Sequence, residues 1–132
     1  MADLFKLQII TPERKFYEGD ASMVELTTEE GEIGVYRGHI PMTAMVAPGI
    51  LKIHDEGGIK EAALMSGFLE ILPEKIVIMA EVAEWPEEID ISRAQEAKIR
   101  AERRLNEKGG DIDIVRAEIA LKKAVVRISL MK

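Results

Sequence analysis

The chain has 132 residues and a net charge of −6, from 18 Lys+Arg against 24 Asp+Glu, and 47% of it is hydrophobic. That length fits one domain, or one domain with an appendage, and the apolar share is enough for a packed core. The acidic balance argues against a nucleic-acid wrapper. The lack of cysteine removes disulfide scaffolds and thiolate metal sites, and no apolar run approaches the ~20 residues of a bilayer span.

Taken in chain order, the start at Met1 to Lys6 has no basic region followed by an apolar run. It reads as neither a secretory signal nor a transit peptide. The expected product is soluble, with any membrane association supplied by a partner. Residues 5–10 alternate apolar and polar and stop at Thr11-Pro12, a strand pattern. Residues 23–26 alternate again. Glu29-Glu30-Gly31-Glu32 reads as a turn of solvated carboxylates, and residues 32–35 follow as a strand. Residues 50–53 run into Asp55-Glu-Gly-Gly58, a hairpin signal. Residues 62–65, 68–72 and 76–79 complete the series, with Ser66-Gly67 as a strand bend. Short strands with this punctuation predict an antiparallel β-sandwich or flattened barrel over residues 1–85.

After Trp85-Pro86 the period becomes helical. Residues 87–107 hold no Gly or Pro and are rich in Ala, Glu, Arg and Lys, all strong helix formers. Gly109-Gly110 should stop this helix, and Asp111 or Asp113 should cap a second one running toward Met131. Two helices with a short link make an antiparallel hairpin over residues 86–132. Ala94, Ala97, Ala101 and Leu105 face Ala117, Ala120, Leu121 and Ala124 at three- and four-residue steps. Alanine seams bury little area, and at ~25 cal/mol per Å² such a hairpin gains less from packing than a leucine-rich one. It is expected to be marginally stable and able to open; the alternative is a permanently docked brace.

Catalytic constellations are thin. His39 and His54 lie far apart, in no metal-ligand spacing, and neither a phosphate loop nor a Gly-x-Ser-x-Gly turn occurs. No enzymatic activity of its own is expected. The helices carry a different signal. Arg93 and Arg100 are two turns apart and project together. Asp90 is placed to hold the Arg93 guanidinium. Arg116, Lys123 and Arg127 recur at seven- and four-residue steps on the second helix. A folded hairpin could turn Arg93, Arg100, Lys123 and Arg127 toward one groove suited to a polyphosphate; the alternative is a solvated cationic face.

Four segments together resemble the epsilon subunit of bacterial ATP synthases: Glu30-Gly-Glu-Ile-Gly34, Gly38-His-Ile-Pro41, Ser66-Gly-Phe-Leu-Glu70 and Ile89-Asp-Ile-Ser-Arg-Ala94. The last is similar to that family's nucleotide motif, and the resemblance runs in order along essentially the whole chain. It implies a non-catalytic rotor subunit of the proton-translocating enzyme. The sandwich would bind the gamma subunit and the ring of c subunits, with Glu32 and His39 in the segment meeting the ring. The hairpin would inhibit ATP hydrolysis when extended toward the catalytic beta (and alpha) subunits, through Arg116, Lys122, Lys123 and Arg127. Folded, it would bind regulatory ATP through Glu84, Asp90, Arg93, Arg100, Lys123 and Arg127, without strictly needing magnesium. No nucleic-acid partner is implied. The location implied is the cytoplasmic side of a bacterial cell membrane, peripheral and held there by the complex. Some positions depart from the family pattern. Lys123 stands where relatives can have Arg, which keeps the charge but loses a two-pronged contact. Trp85-Pro86 interrupts a usually charged stretch, Arg37 replaces a Pro, and Ser66-Gly67 has one Gly where relatives often have two.

Overall fold

The computed structural model describes residues 3–107 and 113–131, which form ten strands followed by two helices. The strands are β1 (Phe5–Ile10), β2 (Lys15–Ala21), β3 (Met23–Thr28), β4 (Gly31–Val35), β5 (Met42–Val46), β6 (Gly49–Asp55), β7 (Gly58–Leu64), β8 (Gly67–Ile71), β9 (Lys75–Ala80) and β10 (Ala83–Glu84). They pair in the order β10-β7-β6-β3-β5-β8-β9-β1-β2, with β4 also on β3. Every pairing is antiparallel except β1 with β9, which run parallel. The sheet folds over on itself, and the Tyr17 hydroxyl on β2 donates to Asp55 Oδ2 at the end of β6, 2.9 Å away.

Period-two alternation builds the core. Leu7, Ile9, Val24, Leu51, Ile53, Leu69 and Ile78 are fully buried on the inner face, as the alternating runs predict. β2, β5 and β10 have no counterpart among the strands expected from alternation. β2 carries Glu18, Gly19 and Asp20 within it, and β10 is two residues long. Both are strands only because β1 and β7 offer them open edges.

The helical half begins later than its composition suggests. Pro86–Glu88 form a 3₁₀ turn, Ile89 and Asp90 are extended, and α1 runs Ile91–Asn106. The expected helix from residue 87 is corrected for a physical reason. The Asp90 carboxylate accepts the Arg93 backbone N–H at 3.1 Å, which makes Asp90 the cap and Ile91 the first helical residue. The second helix, α2, spans Ile114–Leu130 and is capped by Asp113, whose Oδ1 accepts the Arg116 N–H at 3.0 Å. Asp111 and Gly109-Gly110 lie outside the described residues.

The alanine seam is present. Ala94, Ala101, Ala117 and Ala124 are buried, and Ala97, Leu105 and Leu121 are half-buried. Ala120 is exposed, a correction to its expected place. At about 100° per residue it lies about 60° around the helix from Ala117 and about 40° from Ala124. The hairpin lies folded against the sandwich. Val126 and Leu130 of α2 pack on Ala63, Met65 and Ile89, a small apolar patch separate from the main core.

Candidate functional site

The turn between sandwich and hairpin is pinned from both sides. Trp85 stacks on Phe16 with ring centroids 4.2 Å apart and planes 17° from parallel. Glu88 Oε1 accepts the Trp85 N–H at 2.9 Å and the Arg14 guanidinium at 2.7 Å. Arg14 also lies 5.1 Å from the Phe16 ring centroid. The Arg14 hydrogen bond, then the Trp85 N–H, hold the Glu88 carboxyl below the usual carboxylate range. Glu88 sits three residues after Trp85, the spacing at which a Glu reaches back to a cap residue. That local signal is present in the sequence. The Arg14 partnership, 74 residues away, leaves no local trace.

This anchored turn, β10 and both helices enclose a cleft of about 370 Å³, lined by Glu84, Glu88, Asp90, Arg93, Ala94, Ala97, Arg100 and Arg127. Five of the six residues expected to hold a nucleotide therefore meet in one place. Lys123 is the sixth and does not line it. It stands one turn, about 6 Å, before Arg127 along α2. Arg127 Nε is paired with Glu84 Oε1 at 2.6 Å, joining α2 to β10. The expectation that Asp90 holds the Arg93 guanidinium is corrected, because that carboxylate caps the helix instead. Each cleft carboxylate thus has its own protein partner: Glu84 has Arg127, Glu88 has Arg14, and Asp90 has the Arg93 N–H. Among the described residues Arg93 and Arg100 form no ion pair, so the cleft presents two uncommitted guanidiniums and a third that is tethered.

Other expected residues lie elsewhere. Glu32 is exposed on β4, and His39 sits in the turn after it, with Nδ1 2.8 Å from the Ile40 carbonyl oxygen. Tyr36 and Ile40 beside it are 58% and 78% exposed. Arg116 is exposed on the first turn of α2. Lys122 instead lines a groove against the sandwich with Ile119, Pro48 and Ser66, so the four cations of α2 do not share one face. A larger groove, about 570 Å³, lies between α2 and strands β3, β4 and β6. Its charged lining is Glu25, Glu32 and Lys52, which does not converge on one sign and is a poorer anion site than the smaller cleft. Among the described residues no cluster of His, Asp or Glu suits a metal ion, and no helix is long and apolar enough to cross a membrane.

Comparison with known proteins gives consistent matches. Residues 4–86 match the family model for the ATP synthase delta/epsilon chain β-sandwich domain, and residues 87–132 match that for its long α-helix domain. The ATP synthase epsilon chain of Caldanaerobacter subterraneus subsp. tengcongensis is 45% identical over 131 residues, covering 98% of this chain and 95% of the relative. That of Clostridium novyi is 48% identical over 132 residues, covering 99% and 100%. Among solved structures, a chain of the Euglena gracilis mitochondrial ATP synthase superposes with a TM-score of 0.85 at 24% identity, covering 98% of this chain and 82% of that one. At that identity the likeness is one of fold.

Proposed function

Since this chain belongs to the delta/epsilon family of ATP synthase chains, as an epsilon chain, we propose that it is a non-catalytic rotor subunit whose hairpin restrains ATP hydrolysis and is held folded by ATP. The observation that carries the nucleotide reading is the cleft itself, where Arg93 and Arg100 of α1 meet Arg127 of α2 beside Glu84 and Asp90. A triphosphate among three guanidiniums would gain charge-assisted, two-pronged hydrogen bonds. It would bridge α1, α2 and the end of β10, a set of groups that exists only while the hairpin is folded. A ligand shifts a conformational equilibrium by its differential affinity for the two states, so ATP favours the folded form. ATP binds better than ADP, since the third phosphate adds charge where the cations converge. Magnesium is not strictly required, because no dedicated carboxylate cage accompanies the site among the described residues. Lys123 contributes through longer-range charge from one turn away.

The sandwich is the assembly half. Met45, Phe68 and Met79 stand opposite one another on β5, β8 and β9 and are 44%, 46% and 47% exposed. An apolar row of this kind on an outer sheet face suits a protein partner, and the gamma subunit is its proposed occupant. Glu32 and His39, with exposed Tyr36 and Ile40, are proposed to meet the c ring. Released from the sandwich, α2 would offer Arg116, Lys122, Lys123 and Arg127 to acidic segments of the catalytic beta (and alpha) subunits. The chain would then be peripheral on the cytoplasmic side of a bacterial cell membrane, held there through the complex.

Calorimetric titration with ATP tests the site. Arg93→Ala should weaken binding by about one to two powers of ten, the worth of a charge-assisted hydrogen bond. Equal affinity in parent and variant refutes the nucleotide reading.

A further inference from the structure

Building on the cleft as a polyphosphate site, we propose that Glu84 is an internal anion: it latches α2 to the sandwich through Arg127 and is the group an incoming polyphosphate displaces. Of the cations lining the cleft, Arg127 is the one already held by a cleft carboxylate across elements, from α2 to β10. Both side chains are about three-quarters covered, 25% and 26% exposed, so the pair is less screened than one in open solvent. Its position gives it leverage. Arg127 lies on α2 between Val126 and Leu130, the residues packed on Ala63, Met65 and Ile89. Glu84 ends β10, the strand hydrogen-bonded to the edge of β7. Ion pair and apolar patch therefore fasten the same end of α2. Among the described residues it is the one salt bridge between the hairpin helices and the sandwich strands.

The same geometry sets up a competition. A guanidinium presents a limited fork of donors, and its Nε–H is taken by Glu84 at 2.6 Å. The four terminal N–H groups stay open to a ligand, but a phosphate that takes the two-pronged Nε–Nη edge of Arg127 must displace Glu84, leaving that carboxylate to water or to the ligand's own donors. Arg93 and Arg100 need no such exchange. Glu84 thus lowers polyphosphate affinity while supporting the fold that binds it. The hairpin stays docked at low ligand, and ligand replaces one fastening with a stronger one.

The test uses the full chain and inorganic tripolyphosphate, which has no base and so isolates the phosphate contacts. Glu84→Gln keeps shape and removes charge, and it should bind tripolyphosphate roughly two- to fivefold tighter, the scale of a partly exposed ion pair. Arg127→Ala should bind it more weakly. Without ligand, both variants should show faster amide hydrogen exchange in the second half of α2. The exchanged pair Glu84→Arg with Arg127→Glu should restore slow exchange, which loss of packing alone would not. If Glu84→Gln binds no tighter while Arg93→Ala still weakens binding, the competition is overturned and the cleft remains the anion site. If Arg93→Ala changes nothing, the site falls and the competition with it. Failure of the exchanged pair to restore protection overturns the latch.

Discussion

Gly67 opens β8 at a point where the neighbouring strand leaves no room for a side chain. A Cβ there would stand 2.0 Å from the Met79 carbonyl oxygen and 2.7 Å from Ala80 Cα. The obstacle is backbone, which cannot swing aside as a side chain end can, so Gly67→Ala should lower stability by about 2–4 kcal/mol in urea denaturation. Tyr17 shows a second single-residue constraint. Burial first, then its hydrogen bond to Asp55, raise its phenol from 10.0 to about 12. A folded-state value above the unfolded one means the fold favours the protonated phenol. That contribution is complete below about pH 10 and is lost as pH rises toward 12. Tyr17→Phe should remove this alkaline component and cost about 1 kcal/mol at neutral pH. At the acid end the sign reverses. The Lys60 ammonium, 2.6 Å from Asp55, leads in holding that carboxyl below its ordinary 3.8, so this stabilisation is present above that value and is lost as pH falls below it toward the lowered folded-state value. Guanidinium titrations of parent and Tyr17→Phe from pH 3 to 12 check both arms.

At the scale of elements, the link between sandwich and hairpin is a fixed post. Trp85 on Phe16 contributes about 0.5–1.5 kcal/mol beyond its burial, and Glu88 ties the 3₁₀ turn to Arg14. Ile89 and Asp90, extended between that turn and α1, are therefore where a hinge would lie were the hairpin to open. A chain cut after Glu84 should therefore melt about 10 °C below one cut after Ile89, since it loses a stacked Trp worth about 2 kcal/mol in a small domain. Differential scanning calorimetry of the two truncations measures this directly. Equal melting temperatures would mean that the post adds nothing to the sandwich.

At the scale of the whole molecule, the two halves offer separable surfaces. The Met45–Phe68–Met79 row lies on the outer face of the sheet, while α2 packs on Ala63 and Met65. Phe68→Glu should leave the fold intact, because the ring is half in solvent, and should reduce gamma binding at least about tenfold. Pull-down with gamma and a parallel thermal melt distinguish lost binding from lost fold. Removing α2 should spare that binding and raise ATP hydrolysis by the assembled enzyme. Unchanged hydrolysis at both low and high ATP would favour a hairpin that only braces the sandwich.

Much of this was determined by local chemistry alone. Alternation named the inward face of β1 and β3, and alanines at helical steps named the seam, because side-chain direction follows backbone period. Asp113 was one of two candidate caps in the sequence, and its carboxylate takes the Arg116 N–H. Arg93 and Arg100 could be placed on one face, since both belong to α1. What tertiary structure decided lies between elements distant in sequence. Glu84 meets Arg127 across 43 residues, and Arg14 meets Glu88 across 74. Lys123 misses the cleft by a turn although its charge suited it, because the docking of α2 beside β10 selects Arg127. β10 itself has no propensity to be read and exists only as an addition to the β7 edge. Periodicity reports which way a side chain points from its own backbone; which partner it meets there depends on the packing of elements that no local pattern encodes.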